Sequence, residues 1–413
     1  MAKRKTDKPL ILVCDDNAEA SESWTRRLQE ISSVKSKYRV EAKSAGDLAT
    51  LLDKLKSGLE ELRKGQSPAE DPLKDVEVLV IDFDLLDATT QTGREFAYLA
   101  RLVSSCGLIV ALNEHGINTF DLTMSRYEES FADVNVGAEH FLSPGMWKQP
   151  WKGFRPWSWP LIPKEVASWN SRLKQVGRSL LDKPILPHFG LTGDVHVHLP
   201  VKCRQHIVGP KNKPPEEVTF REFAAHSPFC LRDKDRRASA KLHQRCIERI
   251  AAARVAHWLE RVVGPGQNVL IDVPHLVERY PSLYNGRSRQ PKSLDKLAKF
   301  GPVSELPVHY RKIGRHAFKN AQWVSRPMYL WPTISADDSI AEVQDPAQVS
   351  SLGAVFCEDV ARFAPPDAAR EYVADLASPY TRRFAADPSA SHFEAFGEEI
   401  GRVNYEPAVR FSM

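Results

Sequence analysis

The chain has no apolar run approaching the ~18 residues that a membrane-spanning helix needs, so no spanning segment is expected. Its six cysteines in 413 residues are scattered, without framework spacing, which suits a reducing cytoplasm rather than a disulfide-stapled secreted fold. The start, MAKRKTDKPLILV, is basic but carries no signal-like apolar core or small-residue cleavage site. Neither an internal repeat nor a low-complexity tract occurs. After residue 186 there is no GxSxG, phosphate-binding loop or HExxH, so the commoner hydrolase and nucleotide signatures are missing there. What is present is the composition of a folded globular chain: 42% hydrophobic and 27% charged residues, with a mean hydropathy of −0.38. Such a length allows about two or three domains, each able to bury a core.

Net charge is only +4, but it is unevenly placed. Residues 201–320 hold 24 Lys and Arg against 11 Asp and Glu, whereas 321–413 hold 7 against 14. The middle is therefore the segment to search for an acidic or nucleic-acid partner.

Strands and helices alternate through residues 1–145, the signature of a doubly wound parallel sheet. LILVC reads as a strand, followed by a helix from Ala18 with Trp24, Leu28 and Ile31 on one face. YRVEAKS is a short alternating strand. Leu48, Leu51, Leu52, Leu55, Leu59 and Leu62 mark a long helix, extended by the polar insertion KGQSPAEDPLKD. VEVLVID is a continuous apolar run, as in a strand buried on both faces. A helix over GREFAYLARLV, a strand GLIVALN, a helix near Leu122–Phe131 and a strand AEHFLSP complete the order. The first strand ends in Asp15 and Asp16 and the third delivers Asp82. At the carboxyl ends of parallel strands, three such carboxylates form an oxygen-only site suited to Mg²⁺.

This pattern resembles the receiver domain of two-component response regulators, over about residues 8–145. Asp15 and Asp16 match that family's acid pair, Asp82 its phosphoacceptor, and Gly137–Ala138 the Gly-Ala before its fifth strand. Phe83, Asp84, Leu85 and Leu86 fill the loop after the phosphoacceptor. The resemblance implies a flavodoxin-like fold, Mg²⁺ held by Asp15, Asp16 and Asp82, and phosphorylation of Asp82 by a histidine kinase or another signalling protein. Two positions depart from the family. Where it has Ser or Thr this chain reads Leu112–Asn113, and where it has Lys before Pro it reads Ser143–Pro144. The missing ammonium leaves one cation fewer to offset an added charge of about −1.5 to −2. Asn113 could donate a hydrogen bond instead, and Lys148 could reach in from outside. Two readings therefore stand open, a phosphorylatable receiver and a pseudo-receiver that serves as a docking platform.

Residues 146–185 form a joint. Trp147, Trp151, Trp157 and Trp159 lie among prolines, which cannot continue a helix or a central strand. The expectation is an extended segment packed across a boundary, with base stacking as the alternative. A helix follows, with Val166, Trp169, Leu173, Val176 and Leu180 on one side.

Residues 186–413 read as a separate α+β or α/β output domain that resembles no known family. His196 and His198, on an expected strand, could join Cys203 and His206 in a tetrahedral Zn site. RDKDRRASAKLHQRCIERIAAARVAHWLERVV reads as one helix, with Leu242, Cys246, Ile250 and Val255 on its apolar track. Arg236, Arg237, Lys241, Arg245, Arg249 and Arg254 form its basic side, able to track phosphates. NVLIDVPHL reads as a strand, and a helix is expected from Asp367. Glu358, Asp359 and Asp375 are ligand candidates by residue type alone. The expected function is a signalling protein whose receiver-like input controls an output that binds nucleic acid or a protein. Homodimerisation is included among the expected partners and a membrane is not. The alternative is a receiver-gated, metal-dependent hydrolase or nuclease.

Overall fold

The computed structural model describes residues 8–83, 85, 92–113, 119–121, 130–148, 160–210, 213–280, 313–340, 353–372, 382–387 and 404–406. Strand β1 (Leu10–Cys14) is buried at every position, as its unbroken apolar run requires. Helix α1 (Ala18–Glu30) starts where Asn17 accepts the backbone N–H groups of Glu19 and Ala20, and it buries Trp24 and Leu28. A short α2 (Ser32–Lys37) leads to β2 (Arg39–Lys43), and α3 (Ala45–Arg63) buries all six leucines of its stripe. Next come β3 (Val76–Asp82), α4 (Gly93–Val103), β4 (Leu108–Asn113) and β5 (Thr119–Asp121). The fifth strand of the main sheet is β6 (Val134–Gly137). AEHFLSP is not that strand: Ala138–Phe141 forms a helical turn, α5, whose buried Ala138 and Phe141 have helical rather than alternating spacing. Pro144–Trp147 forms α6, with Pro144 in the first turn and Ser143 as cap.

The sheet order is β2-β1-β3-β4-β6, with every pair parallel. The chain leaves β1 for β2 on one side and returns to β3 on the other. A crevice therefore opens between the carboxyl ends of β1 and β3, the ligand position in doubly wound sheets. The fold is α/β with a flavodoxin-like strand order at its N-terminal end.

Beyond the sheet lies α7 (Ile162–Gln175), whose winding loosens to π-type over Val176–Leu180. Short helices α8 (Ile185–His188), α9 (Asp194–Val197) and α10 (Val201–Gln205) follow. Helix α11 (Phe220–His226) is opened by a capping box of Thr219 and Glu222. The single helix expected from Arg232 to Val263 is broken. Helix α12 (Asp233–Arg237) ends at Ala238, and α13 (Gln244–His257) begins anew with His243 as its cap before turning π-type over Trp258–Val263. Apolar periodicity runs through the break, which is why the sequence reads as continuous. Asp235 is anchored there by Tyr98 Oη at 2.5 Å and Arg63 Nε at 2.7 Å.

NVLIDVPHL splits into β7 (Leu270–Asp272) and α14 (Val273–Arg279), because Asp272 caps a helix with Pro274 in its first turn. Strand β8 (Met328–Leu330) pairs antiparallel with β7 and leads into α15 (Trp331–Ser335). A second sheet holds β9 (Val355–Cys357), β10 (Arg362–Ala364), β11 (Ala369–Tyr372) and β12 (Arg383–Ala386) in the order β10-β9-β12-β11. The helix expected from Asp367 is therefore a 3₁₀ turn over Pro366–Ala368 that enters β11, whose backbone pairs with β12 instead. Strand β13 (Asn404–Glu406) pairs in parallel with β5.

One apolar core runs from β1 through α4, α7, α11 and α13 to β12, and a smaller one surrounds α14, β9 and β10. Trp147 is buried, its ring edge-on to Phe141 and Tyr38. Trp151, Trp157, Trp159, Asp84, Leu86, Asp375 and most of the helix expected near Leu122–Phe131 lie outside the described residues. No described helix is long and apolar enough to cross a membrane.

Candidate divalent-cation site

Two strand ends and a tight helix start build the site. Asp15 and Asp16 follow β1 directly, and Asp15 Oδ1 accepts the backbone N–H of Asn17 at 2.8 Å, which fixes that carboxylate beside the start of α1. Asp82 closes β3. Behind it, α4 packs so closely that a Cβ on Gly93 would lie 1.9 Å from the carbonyl oxygen of Asp82, so only glycine fits. Thr92 caps the same helix through Glu95 N, and Gly93 N donates to Phe83 O at 3.1 Å.

These elements bring one oxygen each of Asp15, Asp16 and Asp82 within 4.8 Å of one another, with Asp15 and Asp82 buried and Asp16 half-buried. At that separation two like charges repel by on the order of 3 kcal/mol at an effective dielectric of about 20. A shared divalent cation reverses the sign of that term. The donor set is carboxylate oxygen only, and Asp16 leaves the site open for coordinating water, so the residues fit a hard cation such as Mg²⁺. Lys43 stands opposite Cys14 in the register of β1 and β2, placing a cationic residue at the same sheet edge. Burial holds the Cys14 thiol well above its usual range, with Lys43 acting against that shift.

Ser143, where the resemblance leads one to look for a lysine, accepts the backbone N–H of Gly145 at its hydroxyl oxygen, at the start of α6. Lys148 is exposed, Leu112 is buried, and the side chain of Asn113 lies outside the described residues.

The remaining expected site residues are dispersed. His196 and His198 sit on the one-turn helix α9 and its cap rather than on a strand, so their one-face argument does not hold. Cys203 Sγ is turned to Val262 O at 3.5 Å, and the His206 ring packs at a tilt against Phe229. Among the described residues, the acid cluster is the only group of three or more His, Cys, Asp or Glu side chains close enough to share an ion. Of the basic track, Arg237, Lys241 and Arg245 are exposed, while Arg236 pairs with Asp233. Arg249 turns inward and donates to Leu102 O at 2.9 Å, and Arg254 is buried on the rings of Phe131 and Phe229. The basic face is therefore partly an internal seam.

Sequence reasoning missed that seam. Arg254 Nη1 reaches Ser130 O at 2.7 Å, and Arg261 Nη2 reaches Ala132 O and Asp133 O at 2.7 and 2.9 Å. Arg101 pairs with Asp133 at 2.5 Å and lies over the ring of Trp169. Glu358 is also no open ligand, for it is enclosed with His275 and Arg383. An arginine amid AAARVAHW was the available signal, since a charge flanked by apolar residues on both sides of a helix has no solvent face. Comparison with protein-family models, with curated proteins and with solved structures finds no match to this chain.

Proposed function

We propose that the chain is a response-regulator-like signalling protein in which the acid cluster at the β1/β3 crevice is the input. The observation that carries the reading is the convergence of Asp15, Asp16 and Asp82 at the switch point of a parallel sheet ordered β2-β1-β3-β4-β6. Asp15, Asp16 and Asp82 would hold Mg²⁺, which supplies charge neutralisation for an incoming phosphoryl group. Asp82 accepts that group from a histidine kinase: its carboxylate oxygen forms the new O–P bond while the donor nitrogen leaves. The C-terminal part answers by binding a nucleic acid or a protein partner, with Arg237, Lys241 and Arg245 as its exposed cations. Among the described residues, the acid cluster is the one group of metal-ligating side chains found together.

A second reading, a cation-binding docking platform without phosphorylation, is favoured by Ser143. Its hydroxyl caps α6, and no ammonium occupies that position. Two measurements separate these readings. Mg²⁺ should raise the melting temperature saturably in the full chain, and Asp82→Asn should abolish the rise while making the cation-free protein more stable through relief of repulsion. Incubation with a small-molecule phosphodonor and Mg²⁺ should then add one phosphoryl mass to wild type and none to the variant. A Mg²⁺ response without the mass increment selects the docking platform; no saturable Mg²⁺ response up to about 50 mM sinks both.

A further inference from the structure

The end of α3 and the break between α12 and α13 meet on one surface. Arg63, in the last turn of α3, bonds the buried Asp235 of α12 at 2.7 Å. Two residues on, Gly65 lies against Lys241: a Cβ on that glycine would stand 3.5 Å from Lys241 Cβ. Residues 234–246 coil tightly at the same place. Ala238 N donates to Lys234 O, Lys241 N to Ala238 O, Leu242 N to Ser239 O, and Cys246 N to His243 O. Lys64 therefore joins Lys234, Arg237, Lys241 and Arg245 as exposed cations on a short stretch of surface, one part of it from the sheet and one from the helices.

The acids around them are engaged elsewhere. Asp233 pairs with Arg236, Asp235 is held by Arg63 and Tyr98, Glu60 pairs with Arg63, and Glu95 with Arg232. Glu61 accepts the backbone N–H of Ala69, and Glu248 is turned away toward Gly177. Among the described residues, none of the five cations has an acid partner. Arg245 also stands in the first turn of α13, where the helix dipole disfavours a cation and no acid offsets it. Lys64 and Lys241, so close, add their own repulsion. A polyanion laid across the surface reverses both terms. A protein partner would look instead for a large apolar anchor. Among the described residues the exposed ones are Val197 and Val201, on α9 and α10 rather than here.

We infer that this surface binds nucleic acid through its phosphates, and that the parallel-sheet part shares directly in the contact through Lys64. This role narrows the binding output proposed above to one partner; it rests on that reading but not on the chemistry of Asp82.

Fluorescence anisotropy of a labelled DNA duplex of about 20 base pairs, titrated with the full chain in magnesium-free buffer, tests it. A Kd of about 1–100 µM is expected at physiological salt. The logarithm of the association constant should fall by about 3 to 4 per log unit of salt, as for four phosphates at about 0.9 each. Lys64→Ala should weaken binding about fivefold at physiological salt and reduce that slope by about 0.9; Lys241→Ala with Arg245→Ala should weaken it more than about tenfold. These side chains are exposed, so the variants should melt as wild type. Lys319→Ala, an exposed lysine outside the surface, should change affinity less than about twofold. No saturable binding up to about 100 µM, or an equal loss in Lys319→Ala and Lys64→Ala, overturns the proposal. So does binding of polyglutamate as tight as that of the duplex, which would make an acidic protein the partner. Each of these failures leaves the acid cluster to its own Mg²⁺ measurement, and a failure there leaves duplex binding as it was found.

Discussion

At the scale of single residues, one glycine and one arginine decide more than their types suggest. Gly93 has no room for a methyl group against Asp82 O, so Gly93→Ala must move either α4 or the end of β3. The expected loss is about 1–3 kcal/mol, as for other forced overpacking, measured by urea denaturation. Mg²⁺ stabilisation should weaken with it, because the displaced atom belongs to Asp82. Arg245 and Arg249 look equivalent in sequence, one helical turn apart. In the structure Arg245 is exposed, whereas Arg249 bonds Leu102 O at the end of α4. Arg249→Glu should therefore destabilise the fold by roughly 1–3 kcal/mol, and Arg245→Glu by less than about 0.5. Equal effects in thermal melts would mean that α13 does not dock on α4 as described. The three acids were legible because apolar strands announce where they end. The fate of Arg249 was not, because a helical wheel does not say what lies beyond its apolar edge.

At the scale of elements, the segment around β7, α14 and the second sheet is built on enclosed charge. Burial alone would lower His275, but Asp272 at 2.6 Å and Glu358 at 3.2 Å raise it above its ordinary value. Arg326 Nε joins Asp272 at 3.0 Å, and Arg383 joins Glu358. Such a network contributes specificity more reliably than net stability, but breaking one member is severe. Asp359, next in line, accepts the backbone N–H groups of Val360 and Ala386, yet burial pushes its carboxyl up to about 7. A folded value above the unfolded one means stability that is complete below about pH 4 and is lost as pH rises through 7. Asp359→Asn should thus gain on wild type across that window, at roughly 1 kcal/mol per pH unit while the group titrates. Melting curves from pH 4 to 8 measure the difference. A constant gap between the two proteins would show that Asp359 ionises normally. His257 and His140 are lowered by burial, so their share of stability is lost as pH falls. That is why the variant is compared with wild type rather than read from a single curve.

At the scale of the whole molecule, the sheet and the helices that follow it bury a common core. Helix α4 is covered on its outer side by Cys246 and Arg249, both reaching Leu102 O, and by Asp235 and Arg232, which bracket Tyr98. A fragment ending at residue 148 would expose that face to water. It should bind a hydrophobic dye such as ANS strongly and melt at a lower temperature than the full chain, since exposed apolar area weakens it by about 25 cal/mol per Å². A fragment as stable as the intact protein, with no dye binding, would show that the seam adds nothing. Cutting Arg101 to Leu tests the same seam from within. It leaves Asp133 buried without its cation and should cost about 3–5 kcal/mol.

Local pattern alone determined the first four strands of the parallel sheet, the leucine stripe of α3 and the three acids at the ends of β1 and β3. Those features depend on neighbours within a few residues and on a period of two or 3.6. Tertiary structure decided what such periods cannot carry. It broke the expected long helix beside the anchored Asp235, and it turned His196 and His198 onto a helical turn. It also drew Arg254 out of the expected basic face and, together with Arg261, set it to satisfy the carbonyls before β6. A charged side chain becomes structural only when distant backbone groups leave acceptors for it, and those acceptors lie more than a hundred residues away in the chain.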